Sequence, residues 1–344
     1  MEKKILKWTT WSFGILTVVM CASLYVIPFL KEGVISSFFE GLNFWQNEAQ
    51  VEIDNNLQVP DGKLNIELPE GITSERVEIE NDYIGHTIYV RFPKAIENYS
   101  EKYSVRGSSN NIAGLSYYKE NGKGVLEIKL DKACEYESSY EDGILCMEIK
   151  DLHEVYENVV VIDAGHGGNQ PGAVKLDISE KEINLNIVLQ LKAMLDQVDE
   201  KKIKVFYTRL DDTNPTLQER AEMANQLKAD LFISVHNNSS STGEFSDLSG
   251  TMVLYSPDEN DSSSKRLATI CLENVVSSIG SNDRGIVKGD NIYIVRTSEV
   301  PVALIEVGYM TNEVELNKLC TSSYQKKVAQ GIYNAIMEAF EKGF

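Results

Sequence analysis

His166, in VVVIDAGHGGNQPGA (159–173), and His236, in LFISVHNN (231–238), each follow a run of apolar and β-branched residues and open onto a polar loop. Two imidazoles delivered by two strand ends, together with one carboxylate, make the three-ligand set of a catalytic zinc site. Such a site keeps its fourth position open and lowers the pKa of a water to about 7. The carboxylate is sought in DISEKEINL (177–185), which offers Glu180 and Glu182. Ser179 and Glu182 match a capping box, in which the residue three beyond the N-cap folds back onto the N-cap backbone. That occupies Glu182 and frees Glu180 for a metal, with Glu182 as the alternative. Thr216 and Glu219 form a second such box with no chemistry attached. Glu306 lies inside VALIEV (302–307), where an ionisable group has to be paired, metal-linked or protonated. That environment suits a general base.

Other chemistry is poorly supported. His86 and His153 have no carboxylate or histidine at ligand-like spacing and read as structural. The five cysteines include no CxxC pair, which argues against a thiolate metal site. The glycine loop around His166 lacks both the GxGxxG spacing and a Gly-Lys-Ser/Thr ending, which argues against a phosphate cradle. A net charge of −19 repels phosphate backbones and excludes nucleic acid as a partner.

The elements that must position these side chains follow from the pattern of residues. Strands are predicted at 159–164, 204–209, 231–236, 251–255, 292–295 and 302–307, and helices at 180–198, 217–229, 263–279 and 324–342. Alternation of this kind predicts an α/β domain over 158–344, with a mostly parallel sheet and helices on both faces. Working residues in such sheets sit beyond the carboxyl ends of the strands, where His166 and His236 fall. Residues 51–157 read instead as a small β-rich domain, in stretches such as KLNIELPEG and GILCMEIKD that alternate apolar and polar residues. Cys134 and Cys146 are placed to bridge a hairpin there, given an oxidising compartment.

Between Lys7 and Lys31 lie 23 residues without a charge. As a helix they cross the ~30 Å hydrocarbon core. Lys3, Lys4 and Lys7 precede them, which predicts a cytoplasmic tail at 1–7, a signal-anchor at 8–30 and a juxtamembrane stalk at 31–50, with the remainder exported. The alternative is a cleaved signal peptide and a secreted protein. The run is longer than the usual apolar core of 7–15 residues, and no small-x-small site follows it.

Residues 158–343 resemble the zinc-dependent N-acetylmuramoyl-L-alanine amidases of bacterial cell walls, in an ordered series of blocks. VVVIDAGHGGNQPGA looks like the family's opening strand with its first metal histidine, and EKEINLNIVLQL like the segment that supplies the metal glutamate. LQERAEMANQLKADLFISVHNNSS resembles the middle of the domain with the second histidine, and VPVALIEVGYMTNEVE the closing segment with the catalytic glutamate. The resemblance implies a zinc-exopeptidase-like fold, Zn2+ held by His166, Glu180 and His236, and Glu306 as the base that cleaves the amide between N-acetylmuramic acid and L-alanine. It also implies a cleft position for Arg296, read as a substrate contact, and an orienting or substrate-binding role for Asn238. Peptidoglycan is then the partner, the membrane is reached through the N-terminal helix, and an activating protein is left open. The β-rich domain is placed like a wall-targeting domain. A zinc peptidase acting on the peptide stem and a non-catalytic wall-binding protein are the competing readings.

Overall fold

In the computed structural model the described residues are 49–51, 53–54, 63–107, 110–258 and 262–344. The predicted tail, the span at 8–30 and nearly all of the stalk lie outside them. No helix among the described residues is long and apolar enough to cross a membrane.

Val159–Ala164 (β1) is buried along its whole length. Its side chains alternate between two cores: Val160, Ile162 and Ala164 join one, Val159 and Val161 the other. A β-branched run buried on both faces marks a central parallel strand. Lys204–Tyr207 (β2), Leu231–Asn238 (β3), Thr251–Tyr255 (β4), Asp283–Lys288 (β5) and Val302–Tyr309 (β6) complete a six-stranded sheet in the order β2-β1-β3-β6-β4-β5. All pairs are parallel except β4 with β6.

Glu180–Leu195 (α1) covers one face by burying Ile183, Ile187, Val188, Leu191 and Leu195 at helical spacing. Ser262–Ile279 (α3) and Ser322–Glu341 (α6) pack into the same core. Leu217–Gln226 (α2) and the single turn Tyr293–Arg296 (α4) cover the other face, through Ala224, Ile294 and Val295. Glu313–Leu319 (α5) follows β6.

The strand expected at 292–295 is therefore a helical turn, and β5 takes the place in the sheet. Ile294 and Val295 are adjacent and both buried, which a turn packed on its side allows and an alternating strand does not. A short apolar run reads the same in either state. β5 is an edge strand whose outer residues are exposed and whose Gly285 has φ +80°, so it carries no period-two signal. The other predicted boundaries in this half differ from the observed ones by three residues or fewer.

The preceding residues form a β-sandwich. One sheet contains Ile112–Glu120, Lys123–Leu130, Thr87–Phe92 and Glu78–Asp82 as antiparallel neighbours. The other orders Ile53–Asp54, Val105–Gly107, Lys63–Glu67, Ile144–Asp151 and Cys134–Glu141. Leu64, Ile66, Ile88, Val90, Phe92, Leu126 and Met147 meet between them in one core. The expected disulfide is absent: Cys134 stands opposite Asp151 and Cys146 opposite Ser139. Five residues of strand separate the two positions, about 17 Å at ~3.4 Å per residue, whereas a disulfide needs Cα atoms within about 7 Å.

The sandwich is fastened to the outer edge of the α/β sheet. The Tyr83 ring meets Phe206 edge-on at 5.0 Å, and Lys204 Nζ lies 4.9 Å from the Tyr156 ring centroid. The Tyr83 and Tyr156 hydroxyls both donate to Glu135 Oε2, at 2.7 and 2.5 Å. His153 belongs to this seam too, with Nε2 3.4 Å from the Asp230 carboxylate that accepts the Val159 N–H. Replacing Phe206 with alanine is expected to lower stability by about 1–3 kcal/mol, read as a lower urea midpoint at unchanged slope. An unchanged midpoint would mean that the ring contact contributes nothing.

Candidate metal centre

β1 and β3 are parallel neighbours, and so are β3 and β6, which stacks His236 against Glu306 in register. His166 stands two residues beyond β1, in a left-handed conformation with φ +63°. Glu180 is the first residue of α1, reached through the short hairpin Val174–Lys175/Ile178–Ser179. Three elements far apart in sequence thus converge beyond the carboxyl ends of the strands.

The Glu180 carboxylate lies between the two imidazoles. Its Oε2 is 3.2 Å from His166 Nε2 and its Oε1 3.0 Å from His236 Nδ1. One donor atom from each of the three residues lies within 4.8 Å of the others. Ligands each about 2.0–2.1 Å from a shared tetrahedral ion stand about 3.3 Å apart, so the spacing suits zinc. The His166 and His236 rings approach edge-on with centroids 4.7 Å apart. Two rings this close to one carboxylate leave their nitrogens placed to share a single cation with it. Nitrogen and carboxylate donors with no thiolate also match the preferences of zinc.

The supporting contacts fix the carboxylate. Glu180 is 4% exposed, and burial alone would raise its pKa. The hydrogen bonds and charges of His166 and His236 override burial and hold the group well below the usual carboxylate range. Ala173 N–H donates to Oε2 at 2.9 Å and Asn237 N–H to Oε1 at 3.0 Å. Asn237 Nδ2 donates to Asn184 Oδ1 at 2.8 Å, and Asn184 Nδ2 to the Gly165 carbonyl at 3.1 Å. The ladder shifts register between His236 and Asn238, and that irregularity frees the Asn237 N–H for the ligand.

Two glycines give the ligands room. A Cβ on Gly165 would stand 2.2 Å from His236 Nε2, and one on Gly172, which has φ +68°, 2.4 Å from Glu180 Oε2. Close approach, rather than flexibility, requires glycine at both positions.

His166, Glu180 and His236 meet, and Glu306 lies across the strand pair from His236. Glu182 is not part of the cluster. The capping box expected at Ser179 does not form: its side chain caps nothing and its Oγ is buried without a partner. The backbone serves instead, with Glu180 N–H donating to Ala173 O and Lys181 N–H to Pro171 O. Thr216 and Glu219 do form their box. Asn238 accepts from the Ser239 and Met310 N–H groups, and the N–H of its neighbour Asn237 reaches Glu180. Arg296 is exposed, 6.0 Å from the Tyr293 ring, and Ile294 of the same turn lines the cavity of about 400 Å³ beside the histidines. Asn184 carries a readable signal, four residues after Glu180 on one helical face, whereas nothing local marks Asn237.

Glu306 is set apart by its surroundings. Its Oε2 is buried with no hydrogen-bond partner. Burial raises its pKa to about 7; His236 opposes that rise and Glu180 adds to it.

A family model described as N-acetylmuramoyl-L-alanine amidase matches residues 160–338. The chain belongs to this amidase family. Among its amidase relatives is LytC of Bacillus subtilis, 31% identical over 186 residues that span 54% of this chain and 36% of LytC. An uncharacterized protein of the same organism, YqiI, is 36% identical over 183 residues, 53% of this chain and 85% of its own length. The crystal structure of an N-acetylmuramoyl-L-alanine amidase from Clostridium difficile 630 superposes with a TM-score of 0.50 at 33% identity, covering 54% of this chain and 98% of that one. In this amidase, Gly172→Ala is expected to weaken zinc binding about 10–100-fold by forcing a methyl against Glu180, measured by competition with a chelator. Affinity within twofold of the parent would show that the ligands do not need the gap.

Proposed function

We propose that the chain hydrolyses the amide between N-acetylmuramic acid and L-alanine in peptidoglycan, with Zn2+ held by His166, Glu180 and His236 and with Glu306 as general base. The observation that carries this reading is the pairing of a ligand cluster with a carboxylate in register beside it whose Oε2 is buried without a hydrogen-bond partner. Bound zinc supplies Lewis acidity, polarising the scissile carbonyl and making water acidic enough to react near neutral pH.

The chain's own residues do the remainder. Glu306 takes a proton from the attacking water as the water oxygen bonds to the amide carbon. It returns that proton to nitrogen as the C–N bond breaks, leaving a lactyl carboxylate on the sugar and a free amino group on L-alanine. A carboxylate with a pKa near 7 is matched to both transfers. Glu180, held in the ionised state, is matched to ligation instead.

The 23 uncharged residues flanked by lysines support a membrane anchor at 8–30, with residues 51–344 on the wall side. The sandwich, fastened to the sheet edge, then serves as a wall-facing platform for the catalytic half. Retention of the full chain in the membrane fraction after a carbonate wash is the expected result; release into the wash would contradict anchoring.

Glu306→Gln is expected to retain zinc and to lose about 10²–10⁴ in kcat. Mass spectrometry of digested wall is expected to find new amino groups on L-alanine; new termini within the stem would overturn the substrate assignment. Because Glu306 must be ionised to accept a proton, kcat/KM is expected to fall as the pH drops below about 7. The added positive charge of the ion can only move this limb lower, and Glu306→Gln abolishes it. A limb that persists in that variant belongs to another group.

A further inference from the structure

Two arginines lie beneath the histidine loop, both nearly inaccessible: Arg209 is 3% exposed and Arg220 2%. Between them they capture three consecutive carbonyls. Ala164 O accepts from Arg209 Nε at 2.7 Å and from Arg220 Nη1 at 2.8 Å. Gly165 O accepts from Arg209 Nη2 at 2.9 Å, and His166 O from Arg220 Nη2 at 2.7 Å. Arg209 Nη2 also donates to Lys181 O at 2.9 Å, so one guanidinium ties the His166 loop to the first turn of the helix that begins at Glu180.

Arg220 is itself held by Asp163, the last residue but one of β1, whose carboxylate is fully buried. The Thr208 hydroxyl donates to Asp163 Oδ1 and the Ser234 hydroxyl to Oδ2, each at 2.6 Å. Asp163 thus connects β1, the middle of β3 and the residue just beyond β2 to the arginine that grips the loop. Two buried guanidiniums face one buried carboxylate here, and backbone carbonyls supply the rest of the compensation, including Asp211 O for Arg209 and Pro215 O for Arg220.

The loop has reason to need holding. His166 has φ +63°, which side chains other than glycine seldom adopt, and Gly167 and Gly168 follow at φ +138° and +49°. The carbonyls at 165 and 166 lie beyond the end of β1, and buried carbonyls without partners are costly.

We propose that Arg209 and Arg220, oriented by Asp163, are positioning residues for the metal: by fixing the carbonyls of residues 164–166 they hold His166 in its left-handed conformation with Nε2 facing Glu180. This rests on the metal reading of the His166–Glu180–His236 cluster. Neither arginine acts on the reacting atoms. Lysine cannot replace either one, because an ammonium is a single point whereas the Arg209 guanidinium spans four carbonyls and that of Arg220 three.

The test uses the full chain, stripped of metal and titrated with Zn2+ against a chromophoric chelator and with Co2+ by visible absorption. Arg209→Lys and Arg220→Lys are each expected to bind Zn2+ at least tenfold more weakly and to alter the Co2+ ligand-field bands, while metal-free unfolding stays cooperative. Arg284→Lys, which lies over Tyr309 and outside the clamp, is expected to change neither readout. Where Arg220→Lys does not fold, Arg209→Lys and Asp163→Asn carry the same test, and failure of all three to fold would assign these residues to the fold and overturn the proposal. Folded variants with Zn2+ affinity within twofold of the parent and unchanged Co2+ bands would overturn it as well. A parent chain that binds neither metal would remove the metal reading itself, which separates that failure from failure of the clamp alone.

Discussion

A buried carboxylate gripped from both sides by imidazoles is the interaction around which the catalytic half is arranged. Glu180 has lost its water, and an isolated ionised carboxylate in such a place costs several kcal/mol after relaxation. It tolerates burial because both oxygens are occupied, by His166 and Ala173 N–H on one and by His236 and Asn237 N–H on the other. Each of those partners constrains a different segment. His166 requires a sharp left-handed exit from β1, Ala173 a return of the chain past Gly172, and Asn237 a register shift in β3. Glycine at 165 and 172 follows from the same crowding.

The two glutamates of the site show how position in the fold divides the chemistry. Glu180 is buried and Glu306 has a buried Oε2, yet their proton affinities are driven in opposite directions. Glu180 meets positive and hydrogen-bonding partners, so its anion is favoured. Glu306 lies in an apolar strand, faces the Glu180 carboxylate and has an Oε2 without a donor, and this outweighs the opposing effect of His236, so its neutral form gains. Carboxylates whose surroundings separate their pKa values in this way are the usual basis for assigning ligand and proton carrier to different groups. The parallel pairing of β3 with β6 places Glu306 level with His236.

Much of this was legible from residue types, because the strands are buried on both faces and leave little room for ambiguity. VVVID and LFISV are β-branched and apolar runs of strand length that suit the middle of a parallel sheet, and a histidine following each then falls at the mouth. What escaped reading was non-local. Asn237 contributes through a backbone N–H, which every residue possesses, and the register shift that aims it has no sequence mark. Ser179 has the right neighbours for a capping box, but the Pro171 and Ala173 carbonyls, just before the hairpin, serve the helix N-terminus instead. The segment NIYIV is β-branched enough for a strand and short enough for a turn, and packing beneath the sheet decided it. Asp163 was readable by the reasoning applied to Glu306, as a charge within a wholly apolar strand that has to have partners. Those partners, Thr208, Arg220 and Ser234, lie 45–71 residues away in sequence.

One divalent ion on His166, Glu180 and His236 underlies all of the chemistry proposed for this chain. X-ray absorption at the zinc edge on the purified full chain addresses it most directly. The expected result is about one zinc per chain, with a first shell of nitrogen and oxygen at about 2.0–2.1 Å, the outer-ring scattering of two imidazoles and no sulfur. A first shell with sulfur at about 2.3 Å, or a chain that retains no zinc once loosely bound metal is removed, would contradict it.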